Sequence, residues 1–326
     1  MQTRKHVSWV MASLLVGSTM LLAESGDYSV GMPSAWKEAP IQKVKHTDSF
    51  GDTYYTDSFM EPKKCVKNAV KKYSEPVKKA PKEVLEGLKA TFDADRALSL
   101  KQDKRAMQEL ERAQAQFKAA FKAEPDLKWI PVDIDIEVDS IDLSNESITA
   151  LLKEADAAIS AHRTQEARDL LIPLKDEMTV TTLYLPMEAY AEAVNESLKA
   201  LRAKKRVAAA QDLKTAFGLM VSERVVIPIA LLSAEELTTE AAMLEHDDGK
   251  KATKLLDAAL DALKRAELLG YAGKHSQAYN DLSRQIREVR NVVHGGGSGA
   301  KLYHALKMDF NKLLDDIEGE IPFVGS

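Results

Sequence analysis

Between Val132 and Asp139 the chain alternates without exception, with Val132, Ile134, Ile136 and Val138 apolar and Asp133, Asp135, Glu137 and Asp139 acidic. Four carboxylates so close in sequence suggest two chemistries: a divalent cation held by oxygen ligands, or a carboxylate pair acting as general acid and base. The cation reading meets two obstacles. A calcium loop started at Asp133 would place Val138 where the turn glycine belongs and Ser144 where the bidentate glutamate belongs. Period two also marks a strand, on which same-face carboxylates stand roughly 7 Å apart and do not converge on one ion unaided. Acid–base catalysis needs one carboxyl to be desolvated, and nothing in the sequence singles one out. Asp133, Asp135, Glu137 and Asp139 are therefore kept as weak metal candidates, with a solvated strand face as the favoured reading.

The other reactive residue types do not assemble a motif. Gly295 to Lys301 has a phosphate-loop flavour, but Ala300 stands where the glycine before the lysine is required, and a helix precedes it where a strand should. Gly296-Gly297-Ser298-Gly299-Ala300 misses the nucleophile-elbow pattern at its last position. Both are read as a connector between helices. The seven histidines show no tight ligand spacing, and His162, His246 and His294 fall at expected helix ends, where a cation suits the dipole. Cys65 is the single cysteine and lies in a lysine-rich stretch, so a Cys/His nucleophile is not expected. Tyr184, Pro186, Pro228 and Tyr271 recur at unit ends; they are candidates for a ligand or partner junction between helical layers, with packing as the plainer alternative. No cofactor is expected.

These residues must be positioned by helices. Leu85, Leu88 and Phe92 mark one face of a first helix, and Met107, Leu110, Phe117 and Phe121 mark a second, separated at Lys101-Gln102-Asp103. Ala followed by Leu three residues on recurs as Ala167/Leu170, Ala210/Leu213 and Ala252/Leu255, a repeat-like period of about 42 residues. The connectors recur too: Thr179–Leu185 runs into Pro186, and Val225–Ile227 into Pro228. Proline after an extended run suits the start of a helix. A lone strand leaves backbone groups unpaired, so the acidic strand should join these connectors. The expected fold class is mostly α, repeated helical hairpins with a small two- or three-stranded β patch. Two further stripes, Tyr279/Leu282/Ile286/Val289/Val293 and Leu302/Leu306/Phe310/Leu313/Ile317, predict a C-terminal hairpin packed on the core or on a second copy.

The 326 residues exceed the usual size of one hydrophobic core, and one Cys excludes a disulfide or multi-thiolate scaffold. A net charge of -5 gives no reason to expect a nucleic-acid partner. Arg4 and Lys5 precede an apolar stretch, Val7 to Leu22, that is too short and too diluted to span a bilayer. We read residues 1–23 as a signal peptide cleaved after Ala23, which places the protein in the periplasm and takes the charge to -7. Residues 24–80 read as a disordered lysine-rich tether, with eight Lys against one Glu between Pro62 and Lys82 and with Pro76 and Pro81 expected to break any helix. Cys65 is then read as a mobile surface thiol, with an intermolecular disulfide in an oxidising compartment as the alternative. A helical repeat core follows over 81–275, the C-terminal hairpin over 276–318 and a tail over 319–326.

Thr181-Thr182-Leu183-Tyr184-Leu185-Pro186, the Ala193-rich helix after it, Val226-Ile227-Pro228-Ile229 and Ala266-Glu267-Leu268-Leu269-Gly270-Tyr271 together resemble the YfdX family of exported bacterial proteins. Lys82 to Thr91 and the strand after Pro131 look similar too, and the likeness runs over about residues 81 to 315. The resemblance implies a mostly helical periplasmic protein associated with stress and with antibiotic or acid tolerance, and it brings no catalytic residues with it. The expected function is non-enzymatic, through protein interaction or self-association; the alternative is a small-ligand or divalent-cation module using the acidic strand and the inter-helix junctions.

Overall fold

A computed structural model describes residues 43–47, 53–57 and 64–319. Strands β1 (Lys43–Thr47) and β2 (Thr53–Asp57) form an antiparallel pair. Helix α1 (Lys64–Lys78) comes next, followed by the hairpin α2 (Lys82–Ser99) and α3 (Asp103–Ala123) and by strand β3 (Trp129–Asp139). The order helix, helix, strand then recurs: α4 (Asn145–Ser160), α5 (Thr164–Leu171) and β4 (Glu177–Pro186), then α6 (Met187–Arg202), α7 (Arg206–Gly218) and β5 (Val221–Pro228). Helices α8 (Ile229–Leu244), α9 (Gly249–Leu268), α10 (Ser276–His294) and α11 (Ala300–Glu318) complete the described chain. The fold is thus mostly helical with one small three-stranded antiparallel sheet, as expected; the 42-residue spacing itself is a property of the sequence.

Three of the helix pairs turn in the same way. Lys101, His162 and Lys204 each take a left-handed backbone, with φ of 59°, 59° and 61°. In each turn the next residue's N–H bonds back to an alanine carbonyl five residues earlier: Gln102 to Ala97, Arg163 to Ala158, Lys205 to Ala200. This is the Schellman ending that glycine usually serves. His162 therefore sits at the turn itself. Elsewhere side chains cap: Ser144 accepts from Ser147 N at 3.2 Å, and Asp248 from Lys251 N at 2.9 Å.

The sheet order is β3-β4-β5. Ile134, Ile136, Met178, Val180 and Ile227 join the core built by α1 and α8–α11, whereas Ile130, Val132 and Leu185 join the one built by α2, α3, α6 and α7. One strand serves both cores because the pairing slips by a residue between Pro131 and Asp133, leaving Val132 as the bulge. A one-residue slip reverses every side chain before it, so Ile130 shares a face with Leu185 rather than with Ile134. The alternation predicted the strand but not this reversal. Each proline closes its strand and caps the helix behind it: Pro186 precedes α6, Pro228 precedes α8. The residues after them lock the corners, Met187 N to Lys128 O and Ile229 N to Asp176 O, both 2.9 Å.

The tether expectation is corrected over its last part. Lys64–Lys78 is a helix whose buried face is Cys65, Val66, Ala69, Val70 and Val77, set against the sheet and α8. Lysine dominates its composition, but the lysines occupy the outer face while the small apolar residues keep helical spacing. Pro76 does not prevent the helix, because it lies in the last turn and removes one N–H just before the end. Cys65 is 5% exposed, not a surface thiol, and its Sγ lies 3.4 Å from Ser233 Oγ. The expected signal peptide, about half of the expected tether and residues 320–326 fall outside the described residues. The C-terminal hairpin packs on the first core: α10 buries Tyr279, Leu282, Ile286, Val289 and Val293, and α11 buries Tyr303, Leu306, Phe310, Leu313 and Leu314. Its Gly-rich connector is held by Glu245, whose carboxylate accepts from Gly299 N at 3.0 Å and Ser298 Oγ at 3.1 Å.

Candidate functional site: a groove backed by a buried ion pair

The junction candidates do not form one site. Tyr184 and Pro186 lie at one end of β4, Pro228 pairs with Glu177 at the other, and Tyr271 reaches Glu177. Seven residues of strand separate Tyr184 from Glu177, roughly 23 Å. Tyr184 is buried, and burial with the nearby Glu223 carboxylate raises its hydroxyl to about 12.

Tyr271 belongs to a polar network that the sequence does not announce. Its hydroxyl accepts from Asp176 N at 3.1 Å and donates to Glu177 Oε2 at 2.9 Å. Burial raises the Tyr271 hydroxyl well above its ordinary value. Asp176 is fully buried, and its Oδ2 accepts from Arg265 Nε at 2.6 Å. The same guanidinium donates to Leu143 O at 2.5 Å and Ile141 O at 2.6 Å. One planar fork thus joins α9, the corner before β4 and the segment leading into α4, a geometry that lysine cannot reproduce. Asp176 and Arg265 are 89 residues apart. Neither sits in a motif, so only the folded chain brings them together.

Arg265 also lines a groove of about 580 Å³ between α1, α4, α8 and α9. Cys65, Leu237, Ala258 and Ala262 supply apolar surface; Ser233, Glu236, Asn145 and Asp261 supply polar groups. The volume lies within the range of small-molecule and short-segment sites. Asn145 Nδ2 ties α4 to the Asp261 carbonyl at 3.0 Å. Lys64 bridges Glu236 and Glu240 at 3.2 and 2.7 Å on the groove's outer side, and those partners raise its ammonium. The arrangement can hold a ligand by shape and hydrogen bonding.

The acidic strand differs from its expected form. Asp133, Asp135 and Glu137 are half-buried and Asp139 is 8% exposed, so this is not a solvated face. A sheet set between helical cores leaves little of either face in water. The four carboxylates stand opposite Leu183, Thr181, Thr179 and Glu177 of β4, and the Asp133 carboxylate accepts from Ile134 N at 3.0 Å. Among the described residues no group of three or more His, Cys, Asp or Glu is placed to hold a metal ion.

The class of protein is a mostly helical one in which helical hairpins alternate with the strands of a small antiparallel sheet. Residues 88–226 match the family model described as YfdX protein, so the resemblance read in the sequence is shown. The match runs from α2 to β5; α1 and α8–α11 lie outside it. A solved structure of YfdX from Salmonella Typhi is 13% identical, with 44% of this chain and 90% of that chain covered at a TM-score of 0.32. No curated protein matches the sequence. Among the described residues no helix is long and apolar enough to cross a membrane.

Proposed function

We propose that this is a non-enzymatic, stress-associated protein of the periplasm that acts by protein interaction or self-association, with the groove between α1, α4, α8 and α9 as its binding surface. The observation that carries the reading is the groove itself. Its walls come from three separate parts of the sequence, α1, α4 and the α8–α9 pair, and its lining mixes apolar floor with hydrogen-bonding groups. Nothing in it pairs a nucleophile with a base in the manner of an acyl-transfer site. The cysteine thiol faces a serine hydroxyl, and the arginine is committed to a carboxylate and two carbonyls. Export rests on the leader-like first 23 residues, and the stress association rests on the YfdX resemblance.

Crosslinking with mass spectrometry in the native host, with and without acid or drug stress, tests the proposal. Crosslinks to a partner or to a second copy that map to the four groove helices support it. A chain that yields only intramolecular crosslinks under every condition contradicts it.

A further inference from the structure

We propose that the α4–α5 hairpin is a hinged wall of the groove, latched to α9 by Arg265. This rests on the groove being the binding surface and concerns its regulation. The hairpin has a small core of its own: Ile148, Leu151, Ala155 and Ala158 of α4 close on Ala167 and Leu170 of α5, apart from the two larger cores. Leu268 and Leu269, at the end of α9, pack against it from outside. A unit with a separate core and few outside contacts opens at lower free energy than the body it is attached to.

The hydrogen bonds to α9 concentrate at one place. Arg265 holds the Ile141 and Leu143 carbonyls, and Asn145 holds the Asp261 carbonyl. Directly after those carbonyls come Ser144, Asn145 and Glu146, which form the α4 wall of the groove. Releasing the latch therefore moves the groove's wall and leaves its floor on α8 and α9. Asp176 sets the latch in position: fully buried, it engages the Nε edge of the guanidinium and leaves both terminal nitrogens for the carbonyls. Arg265 is thus a positioning residue, and its release widens the approach to Cys65, which lines the opposite wall.

Hydrogen exchange on the full chain, with no partner present, tests this. Arg265→Lys keeps a positive charge beside Asp176 but cannot serve three acceptors in one plane. The expected result is exchange at least ten-fold faster for amides within 145–171, with amides of α6 and α7 unchanged. Labelling of Cys65, the single cysteine, should accelerate in parallel while α1 amides keep their protection. Asn145→Ala, which leaves the ion pair intact, should give a smaller increase confined to the same segment. Unchanged exchange over 145–171 in both variants overturns the proposal, as does an increase spread equally over the helices. Because no partner takes part, a failed latch leaves the interaction reading standing, and a groove without partners leaves the latch result standing.

Discussion

Gly87 is the residue where the packing tolerates least. A Cβ built there would lie 2.6 Å from the Phe117 ring, and that ring is held edge-on against Tyr190 at 5.8 Å, both nearly fully buried. Alanine gains about 1 kcal/mol in helix propensity, but overpacking a filled core costs roughly 1–3 kcal/mol. Gly87→Ala should therefore lower stability by about 1 kcal/mol, read from the urea midpoint at unchanged slope. Tyr271→Phe should cost about 1–3 kcal/mol in the same assay, because the Asp176 N–H loses its acceptor. Asp95 tests the electrostatics. Burial raises its carboxyl above the ordinary value, with Lys214 opposing. A raised carboxyl favours the folded state below its unfolded value near 3.8 and loses that contribution as pH rises through the folded value. Asp95→Asn should thus raise Tm at pH 7, and the gain should vanish below about pH 3.8. A gain that persists in acid would refute the burial account.

At the scale of elements, the left-handed turns offer a direct check. Lys204 is exposed and holds φ of 61°, where a side chain costs about 1 kcal/mol and glycine costs little. Lys204→Gly should raise stability by about 0.5 kcal/mol at most after the entropy glycine adds to the unfolded chain is counted. The elements also show what a sequence discloses. Period two marked β3, and Pro186 and Pro228 marked the strand-to-helix corners, because those signals are local. Helix α1 was missed because eight lysines and three prolines over 62–82 outweigh a sparse stripe of small apolar residues. The bulge at Val132 was missed because it changes the pairing without interrupting the alternation. Asp176 and Arg265 were missed because each is an ordinary residue until the fold puts them 2.6 Å apart. Of the four junction candidates only Tyr271 belongs to the network beside the groove, and the groove's other polar residues carried no signal at all.

For the whole molecule, the length beyond one core resolves, among the described residues, into three cores arranged around the sheet and its corners. The molecule's central feature is the place where two of these cores meet: α1 and the α8–α9 pair of one and the α4–α5 hairpin of the other enclose the groove, and the Asp176–Arg265 pair ties the hairpin to α9. Apart from its α4 wall, the groove lies outside the segment 88–226 that matches the family model. A photo-crosslinking side chain placed at Leu237, inside the groove, and separately at Val207, which is 85% exposed on the far core, tests the binding claim in intact cells. The account predicts a discrete adduct, to a partner or a second copy, from Leu237 and none from Val207. No adduct from Leu237, or the same adduct from both positions, would contradict it.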